Sequence, residues 1–304
     1  MREWQALRRF GILSNITLTN ELLTIEVSPV GAELRSIRAN ATGISYLWQG
    51  DPAHWKRSAP TLFPIAGRLV NGYYTHEGRR YELSIHGFAG SAAFDVDRAD
   101  AHEAAFTLVA DDTTRAVYPF DFRLEAVFAL DGARLTVRYT VCNEGGAPMP
   151  YSIGGHPGFN IPFVPGTSLR DYYIAFDDPG DPDVYDLKGG FWTGKILRLP
   201  RRPDRIPVTE SICDQDTLLM GGLARRSARI GCAGSPHAVR MEFDDFEFFA
   251  LWPPPGSGSP YICLEPWNGL PPRVGGSDAL ADRPGIRMLG PGGRSVQEYA
   301  LTFT

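Results

Sequence analysis

The chain has 304 residues, 43% of them hydrophobic and 21% charged, proportions that suit a folded globular protein and exclude a disordered one. Lys+Arg 30 against Asp+Glu 35 gives a net charge of -5, which leaves no electrostatic footprint for nucleic acid or an anionic membrane surface. Gly 33 and Pro 25 are spread along the whole length rather than pooled in a linker, as many short strands joined by turns require.

After an N-terminal arm over residues 1–15, Ile16 to Thr19 and Leu22 to Val27 alternate like two strands around an Asn20-Glu21 turn, and Gly31 starts another toward Ile37. Period-two runs recur at Ala104 to Ala110, Phe122 to Leu130 and Arg134 to Cys142, with Asp131-Gly132 as the hairpin turn between the last two. Further strands are expected at Ser168 to Phe176, Val239 to Phe243, Phe246 to Trp252, Tyr261 to Glu265 and Ser295 to Phe303. Helical periodicity is confined to Asp51 to Trp55 and Asp278 to Ala281. The Pro/Gly-rich stretch Pro253 to Pro260 lies between two apolar strands and reads as a surface loop. No composition shift marks a boundary, so the expectation is one all-β domain over residues 1–304, an antiparallel sandwich.

The four cysteines, Cys142, Cys213, Cys232 and Cys263, have no spacing of a zinc site and read as buried free thiols. Arg2, Arg8 and Arg9 interrupt the N-terminus before any signal-like apolar run forms, and no stretch reaches membrane-spanning length. The expectation is a cytoplasmic protein without a membrane partner.

Two histidines sit among glycines, in Ile85-His86-Gly87-Phe88 and Gly154-Gly155-His156-Pro157-Gly158-Phe159-Asn160. Backbone stripped of side chains admits a ligand close to an imidazole, although a turn histidine bonded to backbone explains either one alone. Glu265 ends the apolar run Tyr261-Ile262-Cys263-Leu264 and precedes Pro266-Trp267-Asn268-Gly269. An unpartnered carboxylate in a core is costly, whereas one at a strand end facing a cleft serves as a general base of tuned pKa; capping the following turn is the alternative. Arg68 closes the uncharged run from Ala59 to Gly67, placed to grip hydroxyls or a carboxylate unless its head simply lies in water. Trp48, Trp55, Trp192, Trp252 and Trp267 offer aromatic faces of the kind that stack on pyranose rings.

Taken in order, Leu62-Phe63-Pro64-Ile65-x-Gly67-Arg68, His86-Gly87-Phe88-Ala89, Gly154-Gly155-His156-Pro157-x-Phe159-Asn160 and Cys263-Leu264-Glu265-Pro266-Trp267 resemble the aldose 1-epimerase (galactose mutarotase-like) superfamily, and its LacX-like branch in particular. The resemblance covers roughly Ile16 to Phe303. It implies a galactose-mutarotase-type β-supersandwich with a cleft on one sheet, Glu265 as general base and His156 as general acid. It also implies His86 and Arg68 as substrate-holding groups, with Asn160 and Trp267 beside them, and a sugar-binding aspartate for which Asp216 is the candidate. Two positions depart from the branch pattern: Gly90-Ser91 follows Ala89 where arginine is usual, and Pro272-Arg273 follows Pro271 where aspartate is usual.

The implied reaction opens and recloses a sugar ring. The anomeric hydroxyl loses its proton as the ring oxygen gains one, and reversal after rotation about C1–C2 gives the other anomer. Glu265 would start ionised, supported by Arg68, and His156 protonated. Neither metal nor other cofactor is called for, and the protein is expected as a monomer or homodimer whose partner is a small sugar. The rival readings are a non-catalytic sugar-binding protein, a hexose-6-phosphate epimerase using Arg57, Arg79 or Arg80, and a glycoside-cleaving enzyme, which would need a second carboxylate.

Overall fold

Alternation of apolar and polar residues carries most of the architecture. The computed structural model describes residues 14–198, 205–209, 217–252 and 260–304. Ile16–Thr19, Leu23–Ser28 and Glu33–Ala39 form a three-stranded meander, and in its first two strands every second side chain is buried. The Asp131-Gly132 signal is a true hairpin: Phe122–Asp131 and Arg134–Asn143 pair over their full length, and Gly132 takes the left-handed φ of 54° that such a turn needs.

Those two strands lie in a nine-stranded antiparallel sheet that runs from Arg205–Pro207 at one edge, through Arg294–Phe303, to Asp95–Ala99 at the other. An eight-stranded sheet holds Phe191–Leu197 at one edge, Phe248–Trp252 and Tyr261–Trp267 centrally, and Thr61–Leu62 at the other edge. Phe106, Phe128 and Val137 of the larger sheet belong to one apolar cluster with Phe249, Leu251, Ile262 and Leu264 of the smaller. That shared core, rather than any individual strand's propensity, holds the layers together.

The Tyr261–Trp267 strand is buried at every residue, and its period of two divides it. Ile262 and Leu264 point into the shared core, while Tyr261, Cys263, Glu265 and Trp267 occupy the opposite face. Pro266 cannot donate to a ladder. On one side its strand pairs with Gly154–Gly155 and Gly158–Asn160, and in the gap between those partners the Leu264 N–H donates to the Pro157 carbonyl at 3.1 Å.

The structure differs from the sequence expectation in several places. The turn expected at Asp278 to Ala281 is displaced to a 3-10 turn at Leu280–Asp282, whereas Asp51 to Trp55 makes the expected turn, with His54 and Trp55 donating to the Asp51 carbonyl at 3.0 and 2.9 Å; the α-helix Asp112–Val117, present among the described residues, was not anticipated. Six residues offer too little periodicity to read, but Asp111 caps the helix by accepting the Thr114 N–H at 2.7 Å. The strands Asp183–Lys188 and Phe191–Leu197 were also missed, because their half-exposed faces carry no clean apolar alternation. No helix among the described residues is long and apolar enough to cross a membrane.

Candidate active site

A cleft of about 810 Å³ opens on the face that carries Glu265. Gly154 pairs with Trp267 and Gly158 with Cys263, a continuous register in which His156 falls opposite Glu265. The two motifs, remote in sequence, therefore meet as a cross-strand pair. His156 Nε2 stands 3.3 Å from Glu265 Oε2, and the residues are 6% and 1% exposed. Small residues are obligatory here: a Cβ on Gly154 would lie 2.7 Å from the Pro266 carbonyl oxygen.

Few donors reach the carboxylate. Trp267 Nε1 donates to Glu265 Oε2 at 3.1 Å, while burial pushes the Glu265 carboxyl well above its ordinary range. Burial also drives His156 down, to about 3, and its Nδ1 is buried without a hydrogen-bond partner among the described residues. Burial thus works against the charged form of both side chains. Nor does Arg68 hold Glu265 charged: the arginine is exposed, among the described residues no ion pair joins the two, and its side chain lies against Gly190. The pair still carries one exchangeable proton, and a neutral pair and an ion pair differ only by its transfer between them.

His86 lines the cleft beside the pair. It has a left-handed backbone, φ 65°, which a non-glycine residue adopts only under constraint. Its N–H donates to the Gly67 carbonyl at 2.8 Å, and its Nδ1 accepts the Gly67 N–H at 3.1 Å. The next residue must be glycine, since a Cβ on Gly87 would sit 2.2 Å from the Phe63 carbonyl oxygen. Two sequence motifs are thereby locked together, and with Nδ1 accepting, the ring's proton sits on Nε2. Burial first, then His156, Arg68 and Arg283, lowers the His86 pKa well below normal, so this imidazole is a neutral donor rather than an acid. Its ring meets His156 edge-on at 5.2 Å.

Trp55, Trp252 and Trp267 line the cleft, with Trp55 lying 4.9 Å from the His156 ring. Trp48 and Trp192 do not line it: Trp48 stacks beneath Tyr261 at 4.7 Å, and Trp192 packs on Tyr185. Asn160 is the other displaced residue. It does not line the cleft, because the segment beside its strand captures the amide, which donates to Ser45 and Leu47 carbonyls at 2.8 and 3.0 Å. Asp216 lies outside the described residues. Of the arginines proposed for a phosphate, Arg57 lines the cleft but is engaged by Glu33, the Gly90 carbonyl and Ser91; Arg79 and Arg80 are exposed, Arg80 over the Tyr73 ring. The Gly90-Ser91 departure is thus met by Arg57 arriving from another segment.

The sequence reading missed Arg283, which is 5% exposed. Its Nη2 donates to the Ala66 and Leu270 carbonyls at 2.6 and 3.0 Å, tying the segment before Arg68 to the one after Trp267, and burial lowers its pKa to about 10. Nothing in Ala281-Asp282-Arg283-Pro284 announces this, since the contact is wholly tertiary.

The profile of the family described as Aldose 1-epimerase matches residues 14–274. The chain belongs to the aldose 1-epimerase family. It is 31% identical to the chromosomal LacX protein of Lactococcus lactis subsp. lactis over 95% of this chain and 99% of that one. A galactose mutarotase related enzyme from Lactobacillus acidophilus superposes with a TM-score of 0.91 at 28% identity, covering 96% and 97% of the two chains. A galactose mutarotase-like protein from Lactobacillus casei gives 0.90 at 26% identity, covering 96% and 100%. The all-β, galactose mutarotase-like fold implied by the ordered motifs is therefore the fold observed, and the four motif segments of this family member converge on one cleft.

Proposed function

We propose that this protein interconverts the α and β anomers of a free aldohexose, with Glu265 and His156 as the proton-transferring pair. The observation that carries the reading is the buried cross-strand contact of one carboxyl and one imidazole, 3.3 Å apart, beneath a cleft walled by tryptophans. Mutarotation needs one proton removed from the anomeric hydroxyl and one delivered to the ring oxygen, with no net change, and a pair that shares one proton matches that requirement. Sugar hydroxyls entering the cleft supply hydrogen bonds to an ionised Glu265, so substrate itself draws the proton toward His156. Glu265 then accepts the anomeric proton, His156 protonates the ring oxygen, and the C1–O5 bond opens to the aldehyde. Rotation about C1–C2 and reversal of both transfers close the other anomer.

Around that pair, His86 donates from Nε2 to a substrate oxygen, and Arg68 at the rim offers a second, solvated donor. Trp55, Trp252 and Trp267 provide apolar faces for the ring. The test is polarimetry of freshly dissolved α-glucose and α-galactose with and without the protein. Accelerated optical drift that saturates with sugar supports the reading, whereas saturable binding with an unaltered drift makes the protein a sugar-binding module instead.

A further inference from the structure

Directly behind the proton-transferring pair lies a group that the mechanism does not use. Cys263 follows the same strand face as Glu265, fully buried with Trp48 and Tyr261 and flanked by Trp55 and Trp252. Its sulfur, a His156 ring nitrogen and a Glu265 oxygen lie within 4.8 Å of one another. A tetrahedral zinc ion with bonds of about 2.3 Å to sulfur and about 2.0–2.2 Å to nitrogen and oxygen places its donors roughly 3.3–3.6 Å apart. The His156–Glu265 separation of 3.3 Å already matches that edge. Side-chain movements on the order of 1 Å bring the sulfur in.

We propose that Cys263, His156 and Glu265 form a three-ligand site for a borderline-soft divalent cation of the zinc class, and that occupancy of this site switches the cleft off. The donor set selects the ion: thiolate and imidazole disfavour magnesium and calcium, which take oxygen ligands. Three protein ligands leave a fourth position for water. The orphaned, buried Nδ1 of His156 lets the ring turn toward an ion without breaking a bond of its own. On binding, the Cys263 thiol releases its proton to solvent, as does Glu265 if it holds one, and zinc takes the freed lone pairs. No oxidant or reductant enters. The ion then engages the Glu265 and His156 atoms that face each other, which takes the pair out of proton exchange and occupies the place of the sugar's anomeric centre, so the ion competes with substrate. The claim of inhibition rests on the mutarotase reading; the claim of a metal site does not.

The test begins with Co2+ as a spectroscopic probe of the full-length protein. A near-ultraviolet thiolate-to-cobalt band, displaced by Zn2+, is expected in the wild type and in the Cys142→Ser/Cys213→Ser/Cys232→Ser variant, which keeps Cys263. Cys263→Ala should lose the band and weaken Zn2+ binding by at least about tenfold. If mutarotation is observed, Zn2+ should raise the apparent KM of the wild type, EDTA should restore the original rate, and Cys263→Ala should retain activity while losing zinc sensitivity. Absence of the band in the variant that keeps Cys263, or a Cys263→Ala protein that binds zinc as the wild type does, overturns the site. Should Cys263→Ala fail to fold, the variant that keeps Cys263 decides alone. An intact cobalt band with no mutarotation removes the enzymatic reading and leaves the metal site standing.

Discussion

Two glutamates of this protein are equally hidden, Glu33 at 2% and Glu265 at 1% exposure, yet their surroundings are opposite. Glu33 is saturated: it accepts the Ser58 and Ala59 N–H groups at 2.7 and 3.2 Å and pairs with Arg57 at 3.1 Å and Arg35 at 3.3 Å. Glu265 has the Trp267 indole and a histidine that burial has neutralised. Burial alone therefore does not mark a reactive carboxyl. A carboxylate ringed by donors is a fixed charge that holds segments together, whereas one left short of donors can exchange a proton with whatever enters the cleft.

Isosteric amides should separate these cases. Glu265→Gln keeps the indole bond but cannot accept the anomeric proton, so turnover should fall about a hundredfold to ten-thousandfold while the protein stays folded at neutral pH. A folded, active Glu265→Gln enzyme would take the base role away from Glu265. His156→Asn should follow with a loss of about a hundredfold, and near-normal turnover in that variant would take the acid role away from His156. Glu33→Gln should do the reverse. The amide oxygen can still accept the Ser58 and Ala59 N–H groups, but its NH2 faces Arg57, and leaving that guanidinium without its carboxylate should cost about 3 kcal/mol of stability, seen as a shift in denaturant midpoint, while the folded fraction keeps its rate within a few-fold. A Glu33→Gln protein that is stable but inactive would break the contrast.

The same contrast explains what the sequence could and could not convey. The hairpin at Asp131-Gly132 and the long alternating strands were legible because they depend on neighbours within a few residues. Glu265 and His156 stood out because a carboxylate after an apolar run and a histidine among glycines each need a local reason. Their meeting was not legible, since it comes from strand register. Asn160 was misread for a related reason. It shares a motif with His156, but tertiary neighbours decide where its amide points, and the Ser45 and Leu47 carbonyls claim it. Glu33 and Arg283 gave no clear local signal, because the groups that bury and fix them, Arg57, Ser58 and Ala59 for the one and the Ala66 and Leu270 carbonyls for the other, lie far along the chain.

Arg283 supplies a smaller test. Lysine at this position keeps a charge but presents a single ammonium where the guanidinium reaches both the Ala66 and Leu270 carbonyls from one nitrogen. Arg283→Lys should lower stability by about 1–3 kcal/mol and raise KM more than it lowers kcat, because the two cleft walls separate while the acid–base pair is untouched. Equal loss in kcat at unchanged KM would instead place Arg283 in the chemistry.

The smallest effect is thermodynamic, and it tests the proton inventory without any substrate. Glu265 has its pKa raised by burial, so its contribution to stability is fully present below the ordinary value of 4.5 and is lost as pH rises through the folded-state value. His156 has its pKa lowered from 6.5 to about 3, so its contribution is present above 6.5 and is lost as pH falls toward 3. The wild type is therefore eroded from both sides, each limb with a slope of at most about 1.4 kcal/mol per pH unit. Glu265→Gln removes only the alkaline limb. Relative to wild type it should gain stability between pH 5 and 8, a few degrees in melting temperature, and the two proteins should converge near pH 4, where both side chains are neutral. His156→Asn should show the mirror image, with its advantage confined to acid. Parallel melting curves for wild type and Glu265→Gln across that range would mean that Glu265 finds donors enough to ionise freely, and the distinction from Glu33 would disappear.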